Sequence, residues 1–323
     1  MPHVTDHHLK NVFLLLGILL FLTYSLGLFT SLNRINSRET KLPQDLARAA
    51  GKFVQLGQAN VYYEYYKAPA QPPHATLLFI HGFGLNLRSW DNQVEYFLNK
   101  GYDLLLVDLL GQGLTQDIGD SDTRAEAQTD MLNQLLKYLA LPQTVVVGHS
   151  RGGSIAQRFA LNYPEKVTGL ILVNSADLSG VLGYQSLLWL NNPLLAQIPA
   201  GVFTSKENLR TLFEGGFADS QKVTDEIIDK YYAPYTIKDS TRNLVTQFLI
   251  SDSNRLIETG HITQPVLVIH GLKDTLMATE ATKNLLLGLP NPDYAEITDA
   301  AHGPQDETPI ELNQIIGDWL DRH

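Results

Sequence analysis

The 323-residue chain reads as an α/β protein, with a mostly parallel sheet covered by helices on both faces and a helical segment inserted late in the alternation. Strand-like runs that are apolar along their whole length recur at Ala75–Ile80, Tyr102–Asp108, Thr144–Gly148 and Gly169–Asn174. Helix-like segments separate them, at Ser89–Gly101, Thr123–Leu141 and Ser154–Lys166. The alternation stops near Ala176 and resumes near Pro265. Strands without polar alternation are buried on both faces, and parallel neighbours need crossover helices to join them.

The elements follow in order from the N-terminus. From Asn11 to Asn33 there is no charged side chain, and Val12–Leu32 as helix gives roughly 31 Å, the thickness of bilayer hydrocarbon. A cleaved signal peptide competes with this reading, but no convincing A-x-A site follows, so residues 1–33 are expected to be a retained single-pass membrane anchor. Lys10 alone precedes the span while Arg34, Arg38, Lys41 and Arg48 follow it, which favours a cytoplasmic body; the opposite orientation stays open. Residues 34–51 are polar and charged, a linker or a poorly ordered lead-in helix.

Val54–Tyr66 reads as two short strands around a Gly-Gln-Ala-Asn turn, an antiparallel hairpin closed by the prolines of QPPH. In Thr123–Leu141, Met131, Leu132, Leu135, Leu136 and Leu139 form one helical face. After the interruption come PVLVIHG, a helical TEATKNLLLGL, a strand-like YAEIT and a terminal amphipathic ELNQIIGDWL. The core is therefore assigned to residues 52–176 and 261–323. Residues 177–260 lack a strand pattern, are rich in Leu, Tyr and Phe, and read as a helical cap. No internal repeat is visible.

Composition narrows the chemistry. A hydrophobic content of 44% can bury a sizeable core. A net charge of −10 without a basic run argues against nucleic-acid binding. With no cysteine, disulfides, thiolate metal sites and thiol nucleophiles are excluded, which leaves Ser, His, Asp and Glu.

The stretch VVVGHSRGGS, Val145–Ser154, carries the strongest local signal. A β-branched strand ends in G-x-S-x-G and a helix follows, so the turn holds Ser150 above the sheet. Such a pentapeptide arises by chance in roughly one chain in ten of this length, so its place after a strand and before a helix is what gives it weight. The helix N-terminus also sets backbone N–H groups beside any negative charge formed there.

A serine hydroxyl needs a base, and the base needs an acid to orient it. Of ten histidines, His3, His7, His8 and His323 lie at the chain ends and His74 and His261 in polar loops. His81, His149 and His270 adjoin strand ends, where structural hydrogen bonding is the expected role. His302 lies in TDAAHGPQDE, between the last strand and the last helix, within reach of the carboxyl edge of the sheet. For the acid, Asp274 follows the penultimate strand at that same edge. Asp177 and Asp299 compete, and Asp299 reads better as a loop cap. The order Ser150, Asp274, His302 is the one this elbow calls for.

With these residues in place, the chain from about Phe53 to the C-terminus resembles the α/β-hydrolases. The resemblance rests on His81-Gly82-Phe83-Gly84, Asp108-Leu109-Leu110-Gly111-Gln112-Gly113, Gly148-His149-Ser150-Arg151-Gly152-Gly153, Gly271-Leu272-Lys273-Asp274 and Ala301-His302-Gly303. It implies an oxyanion hole made by the backbone N–H groups of Phe83 and Arg151. It also implies serine esterase or lipase-like hydrolysis of a small-molecule or lipid-like ester, with neither metal nor organic cofactor. Other reactions of the same groups stay open, namely thioester, amide or carbon–carbon bond hydrolysis, as does a non-catalytic binding scaffold. Serine at position 150 argues against relatives that attack with a carboxylate. Arg151 departs from the Met, Leu or Gln usual in many esterases; it either biases substrate choice or pairs with a nearby acid.

Overall fold

The structure, a computed structural model, describes residues 3–69, 72–119, 121–175, 201, 204–249, 257–277 and 279–323. An eight-stranded sheet organises the chain: β1 (Gly51–Leu56), β2 (Ala59–Tyr66), β3 (Thr76–Ile80), β4 (Asp103–Val107), β5 (Thr144–His149), β6 (Val167–Val173), β7 (Val266–Gly271) and β8 (Asp293–Ile297), in the spatial order β1-β2-β4-β3-β5-β6-β7-β8. β1 and β2 form the expected hairpin, and β2 joins β4 antiparallel. From β4 onward every pairing is parallel.

Residue parity decides which face each core side chain serves, because successive strand residues point to opposite sides. Leu78, Ile80, Leu105, Val107, Val146, Leu170 and Leu172 pack on one face against Leu132, Leu135, Ile155 and Phe159. These come from α3 (Ala125–Tyr138) and α4 (Arg151–Asn162), with α8 (Thr279–Gly288) adding Leu285. Leu77, Phe79, Leu104, Leu106, Val147, Ile171, Val173 and Ile269 face the other way, onto Phe97 of α2 (Asp91–Asn99) and Leu312, Ile316 and Trp319 of α10 (Pro309–Leu320). That two-sided burial is why the strand runs carry no polar alternation. It also fixes the carboxyl ends of β3, β5, β6 and β7 along one edge.

Between β6 and β7 the described residues are helical, as α5 (Lys206–Gly216), α6 (Asp225–Tyr232) and α7 (Ser240–Leu249). Residues 177–200, 202–203 and 250–256 of the expected cap, Asp177 among them, lie outside the described residues.

At the N-terminus α1 (His3–Arg38) is one continuous helix that runs past the end of the apolar stretch. Where composition reads as a linker, the chain is tied to the body. Arg48 donates from Nε to the fully buried Glu64 carboxylate at 2.8 Å and from Nη1 to Asp91 at 2.8 Å. Charge runs look solvated in a sequence, and nothing local reveals a buried acid waiting for one of them.

Candidate active site

Ser150 sits on the turn between β5 and α4 with φ 53° and ψ −124°, a conformation that costs a non-glycine residue about 1–3 kcal/mol. The surroundings enforce it. A Cβ on Gly148 would lie 2.6 Å from the Gly152 carbonyl oxygen, and one on Gly152 would lie 2.4 Å from that of His81. The glycines of the elbow are therefore positions where strand, helix and the β3 end touch backbone to backbone.

His302 brings the three expected side chains together. Its Nε2 accepts from the Ser150 hydroxyl at 3.0 Å, and its Nδ1 donates to Asp274 Oδ2 at 2.8 Å. Asp274 follows β7, and its other oxygen accepts from the amides of Leu276 and Met277 at 2.8 and 2.9 Å. Burial by itself raises this carboxyl, but hydrogen bonds from His302, Asn174 and the Met277 amide outweigh it and hold the group down to about 2. Asp274 is thus an anion behind the imidazole. Asp299 is 77% exposed and pairs with Lys273 at 2.9 Å, away from the imidazole.

Two further residues hold this arrangement, and the sequence did not single out either. Asn174, just beyond β6 at φ 44°, donates from Nδ2 to Asp274 Oδ2 at 2.6 Å and to the Ala301 carbonyl at 2.9 Å. It thereby joins the acid to the loop carrying His302. Its place at the carboxyl end of a central strand was the available signal. Glu307, in the short helix α9 (Pro304–Glu307), accepts from the amides of Ala301 at 3.1 Å and Gly303 at 2.8 Å, which flank the imidazole in sequence. It also accepts from the Ala218 amide at 2.6 Å, while the His302 amide donates to the Gly216 carbonyl at 3.1 Å.

The strand-end histidines are buried and hydrogen-bonded. His81 Nε2 accepts from the Leu109 amide at 3.1 Å and Nδ1 donates to the Gly82 carbonyl at 2.8 Å; burial lowers its pKa to about 4 and keeps it neutral. His149 Nε2 donates to the His302 carbonyl at 2.7 Å, and burial, followed by repulsion from His302, lowers it to about 3. His270 Nδ1 meets the Thr282 hydroxyl at 3.2 Å.

Around Phe83 the loop is pinned on both sides. The Gly84 amide donates to Gln112 Oε1 at 2.6 Å, and the Tyr235 hydroxyl donates to the Gly84 carbonyl at 2.7 Å. A Cβ on Gly82 would lie 3.3 Å from Ser150 Cβ, so this loop passes directly beside the serine. Arg151 opens α4, where a helix leaves its first amides without intrahelical acceptors. Its guanidinium lies 5.5 Å from the Phe83 ring centre and donates to Gln247 Oε1 at 3.0 Å and to the Thr123 carbonyl at 3.3 Å. Of the two roles left open for Arg151, the structure shows its side chain bound to a cap glutamine and a backbone carbonyl.

The chain is similar to proteins of known name over most of its length. It is 27% identical over 285 residues to a 2-hydroxy-6-oxononadienedioate/2-hydroxy-6-oxononatrienedioate hydrolase of Paraburkholderia phymatum, covering 84% of this chain and 96% of the relative. Lipase 3 of a Moraxella species is 29% identical over 273 residues, covering 78% of each. An esterase structure from Exiguobacterium antarcticum superposes with a TM-score of 0.71 at 18% identity, over 84% of this chain and 99% of that one. The alpha/beta hydrolase fold family matches residues 75–309, which takes in all five motifs, and the chain belongs to that family.

Proposed function

We propose that the chain is a serine hydrolase that cleaves carboxylic esters through an acyl-enzyme, held at a membrane by its N-terminal helix. The observation that carries this is His302 placed between Ser150 and an ionised Asp274, at 3.0 and 2.8 Å. Ser150 Oγ bonds to the ester carbonyl carbon as its proton passes to His302 Nε2. The Nδ1–H bond to Asp274 fixes the tautomer in which Nε2 is basic and stabilises the imidazolium that forms. Collapse of the tetrahedral adduct breaks the bond to the alkoxide, which leaves with the proton from His302. Water then repeats the sequence to release the acid. The amides of Phe83, in the loop that passes beside the serine, and of Arg151, the residue after it, are assigned to the oxyanion; one such donor typically contributes about 10²–10³ in rate.

Carbon–carbon bond hydrolysis is the second reading, favoured by the name of the Paraburkholderia relative. That substrate is named as a dicarboxylate. The guanidinium adjoining the nucleophile is already held by Gln247 and Thr123 and lies over Phe83, which weighs toward the uncharged ester. The described part of α1 includes a span, Ile18–Arg38, long and apolar enough to cross a bilayer, which supports the anchor.

The test is labelling of the full-length protein by a fluorophosphonate, followed by turnover of a panel of aryl esters, matched thioesters and amides, and a dienedioate carbon–carbon substrate. Labelling that disappears in Ser150→Ala, with esters turned over best, is the expected result. Preference for the dienedioate selects the second reading, and a folded protein that takes no label is a binding scaffold.

A further inference from the structure

The end of α1 is built into the cap. Arg38 Nη1 donates to the Thr204 carbonyl at 2.7 Å and Nη2 to the Thr241 hydroxyl at 2.6 Å. Beside it, the Glu39 carboxylate accepts from the Thr241 amide at 3.0 Å and the Ser240 hydroxyl at 3.2 Å, capping the N-terminus of α7. Both side chains are largely buried, at 9% and 7% exposure. Lys41 then pairs as a single parallel bridge with Ile237, its amide donating to the Thr236 carbonyl at 3.0 Å and its carbonyl accepting from the Lys238 amide at 3.0 Å. No flexible tether separates the apolar helix from the cap.

The contact continues up the helix on one side. Tyr24, Leu28, Ser31, Ile35 and Arg38 are covered or half-covered, spaced four, three, four and three residues apart, which is a single helical stripe, with half-covered Ser25 and Gly27 at its upper margin. At Ser31 the fit is close enough that a Cβ on Gly201 would fall 2.1 Å from its hydroxyl oxygen. From Arg38 to Tyr24 the stripe measures about 21 Å along the axis. The other side is bare: Leu19, Leu20, Phe21, Leu22, Leu26 and Phe29 each expose more than half their surface. The hydroxyls of Thr23 and Thr30 are satisfied within the helix, bonding the Leu19 and Gly27 carbonyls at 2.9 Å each, as hydrocarbon requires.

We infer that α1 docks the cap itself onto a lipid bilayer, with Leu26 and Phe29 facing lipid while Ser31 and Ile35 grip the cap. The site therefore takes its acyl substrate from the membrane surface rather than from bulk water. This rests on the anchored hydrolase proposed above and adds the orientation. A helix on a loose linker would let the body tumble; here the bilayer plane and the cap share one rigid element. The same cap reaches the site, through Gln247 to Arg151, Tyr235 to Gly84 and Gly216 to His302.

The chain has no cysteine, so single labels are clean. Full-length protein carrying a fluorophore at Leu42→Cys, exposed and just beyond the junction, is compared with one carrying it at Tyr138→Cys, exposed at the end of α3, a helix that packs on the other face of the sheet from Leu46 and Ala47. Both are reconstituted into phosphatidylcholine vesicles containing headgroup-nitroxide lipid. Strong quenching at position 42 and none at 138 is the expected result. Equal quenching at both overturns the inference, as does protein that stays out of the vesicles and pairs its helices in a dimer. The double variant Arg38→Ala/Glu39→Gln should still float with vesicles and turn over a soluble acetyl ester as before. It should lose about tenfold on a long-chain ester dissolved in the vesicles, because the helix still anchors the protein but no longer holds the cap and its site against the bilayer, which lowers the effective concentration of ester at the site. Equal rates on the vesicle ester overturn the orientation. Quenching needs no turnover, so failure of the hydrolase reading shows separately, as absence of fluorophosphonate labelling.

Discussion

The Gly303 amide donates to Glu307 Oε1 at 2.8 Å, and the Ala301 amide reaches the same carboxylate at 3.1 Å, so Glu307 grips the backbone on both sides of His302. The first prediction follows from that grip. Glu307→Ala leaves buried amides at Ala301 and Gly303 unpaired, at a cost of about 1–3 kcal/mol each. It also frees the imidazole to shift, and a 1 Å misplacement costs about 10²-fold in rate. The expected signature is a fall in kcat with KM little changed, and a milder fall for Glu307→Gln, which keeps one acceptor. A proportional loss of active-site titre, with normal kcat in the remaining sites, would mean that the carboxylate only stabilises the fold.

Asp274→Asn tests the acid. The amide cannot hold the imidazole in the tautomer that bares Nε2, so kcat should fall by about 10⁴ while the fold survives. Asp299→Asn should leave turnover unchanged, since that side chain is exposed and pairs with Lys273. Asn174→Ala should fall between the two, because it removes a 2.6 Å bond to Asp274 and a 2.9 Å bond to the Ala301 carbonyl. The rates of the two aspartate variants, measured on one aryl ester, rank the carboxylates, and that of Asn174→Ala weighs the amide. Comparable losses for Asp299→Asn and Asp274→Asn would sink the assignment.

What the sequence shows and hides has a physical pattern here. The sheet, its two covered faces and the meeting of Ser150, Asp274 and His302 were legible because each depends on local pattern and on strand ends sharing an edge. Asn174 and Glu307 were not, since an amide after a strand or an acid in a helix looks the same whether it faces water, a partner 100 residues away as Asn174 does, or the backbone of a neighbouring loop as Glu307 does. The lead-in segment misled for the same reason. Arg38, Glu39 and Arg48 have the composition of a solvated linker, and only their partners at Thr204, Thr241 and Glu64 fix them in place.

Acid stability should depend on His149. Its folded pKa is about 3 against an ordinary 6.5, chiefly through burial. As pH falls through 6.5 the unfolded chain takes up a proton that the folded chain refuses until about 3, so stability drains across that window. Asp274 adds a lower step. Held down to about 2 from 3.8, it stabilises the fold fully above 3.8 and loses that contribution as pH falls toward 2. Denaturant midpoints at about pH 7 and about pH 4 should show a smaller drop in His149→Gln than in the parent, because the glutamine amide can still donate to the His302 carbonyl without titrating. An unchanged drop would place the acid sensitivity elsewhere.

The cap is fastened to the body by a buried ion pair that can be separated from its packing. Lys230 of α6 reaches Asp306 Oδ1 at 2.6 Å, and Tyr231 donates its hydroxyl to Asp306 Oδ2 at 2.5 Å. Burial and the neighbouring carboxylate hold the Tyr231 phenol well above its ordinary range, so it stays a donor. Both charged side chains are nearly covered, at 7% and 2% exposure. Asp306→Ala strands a buried ammonium and should cost about 3–5 kcal/mol, whereas Lys230→Met with Asp306→Leu removes both charges and should recover most of the loss. Because Asp306 stands four residues after His302, the two variants also separate stability from positioning. A double variant that refolds to parental stability yet turns over slowly would show that the clamp sets the cap against the imidazole loop, while full recovery of both would show that apolar contact alone suffices to seat the cap.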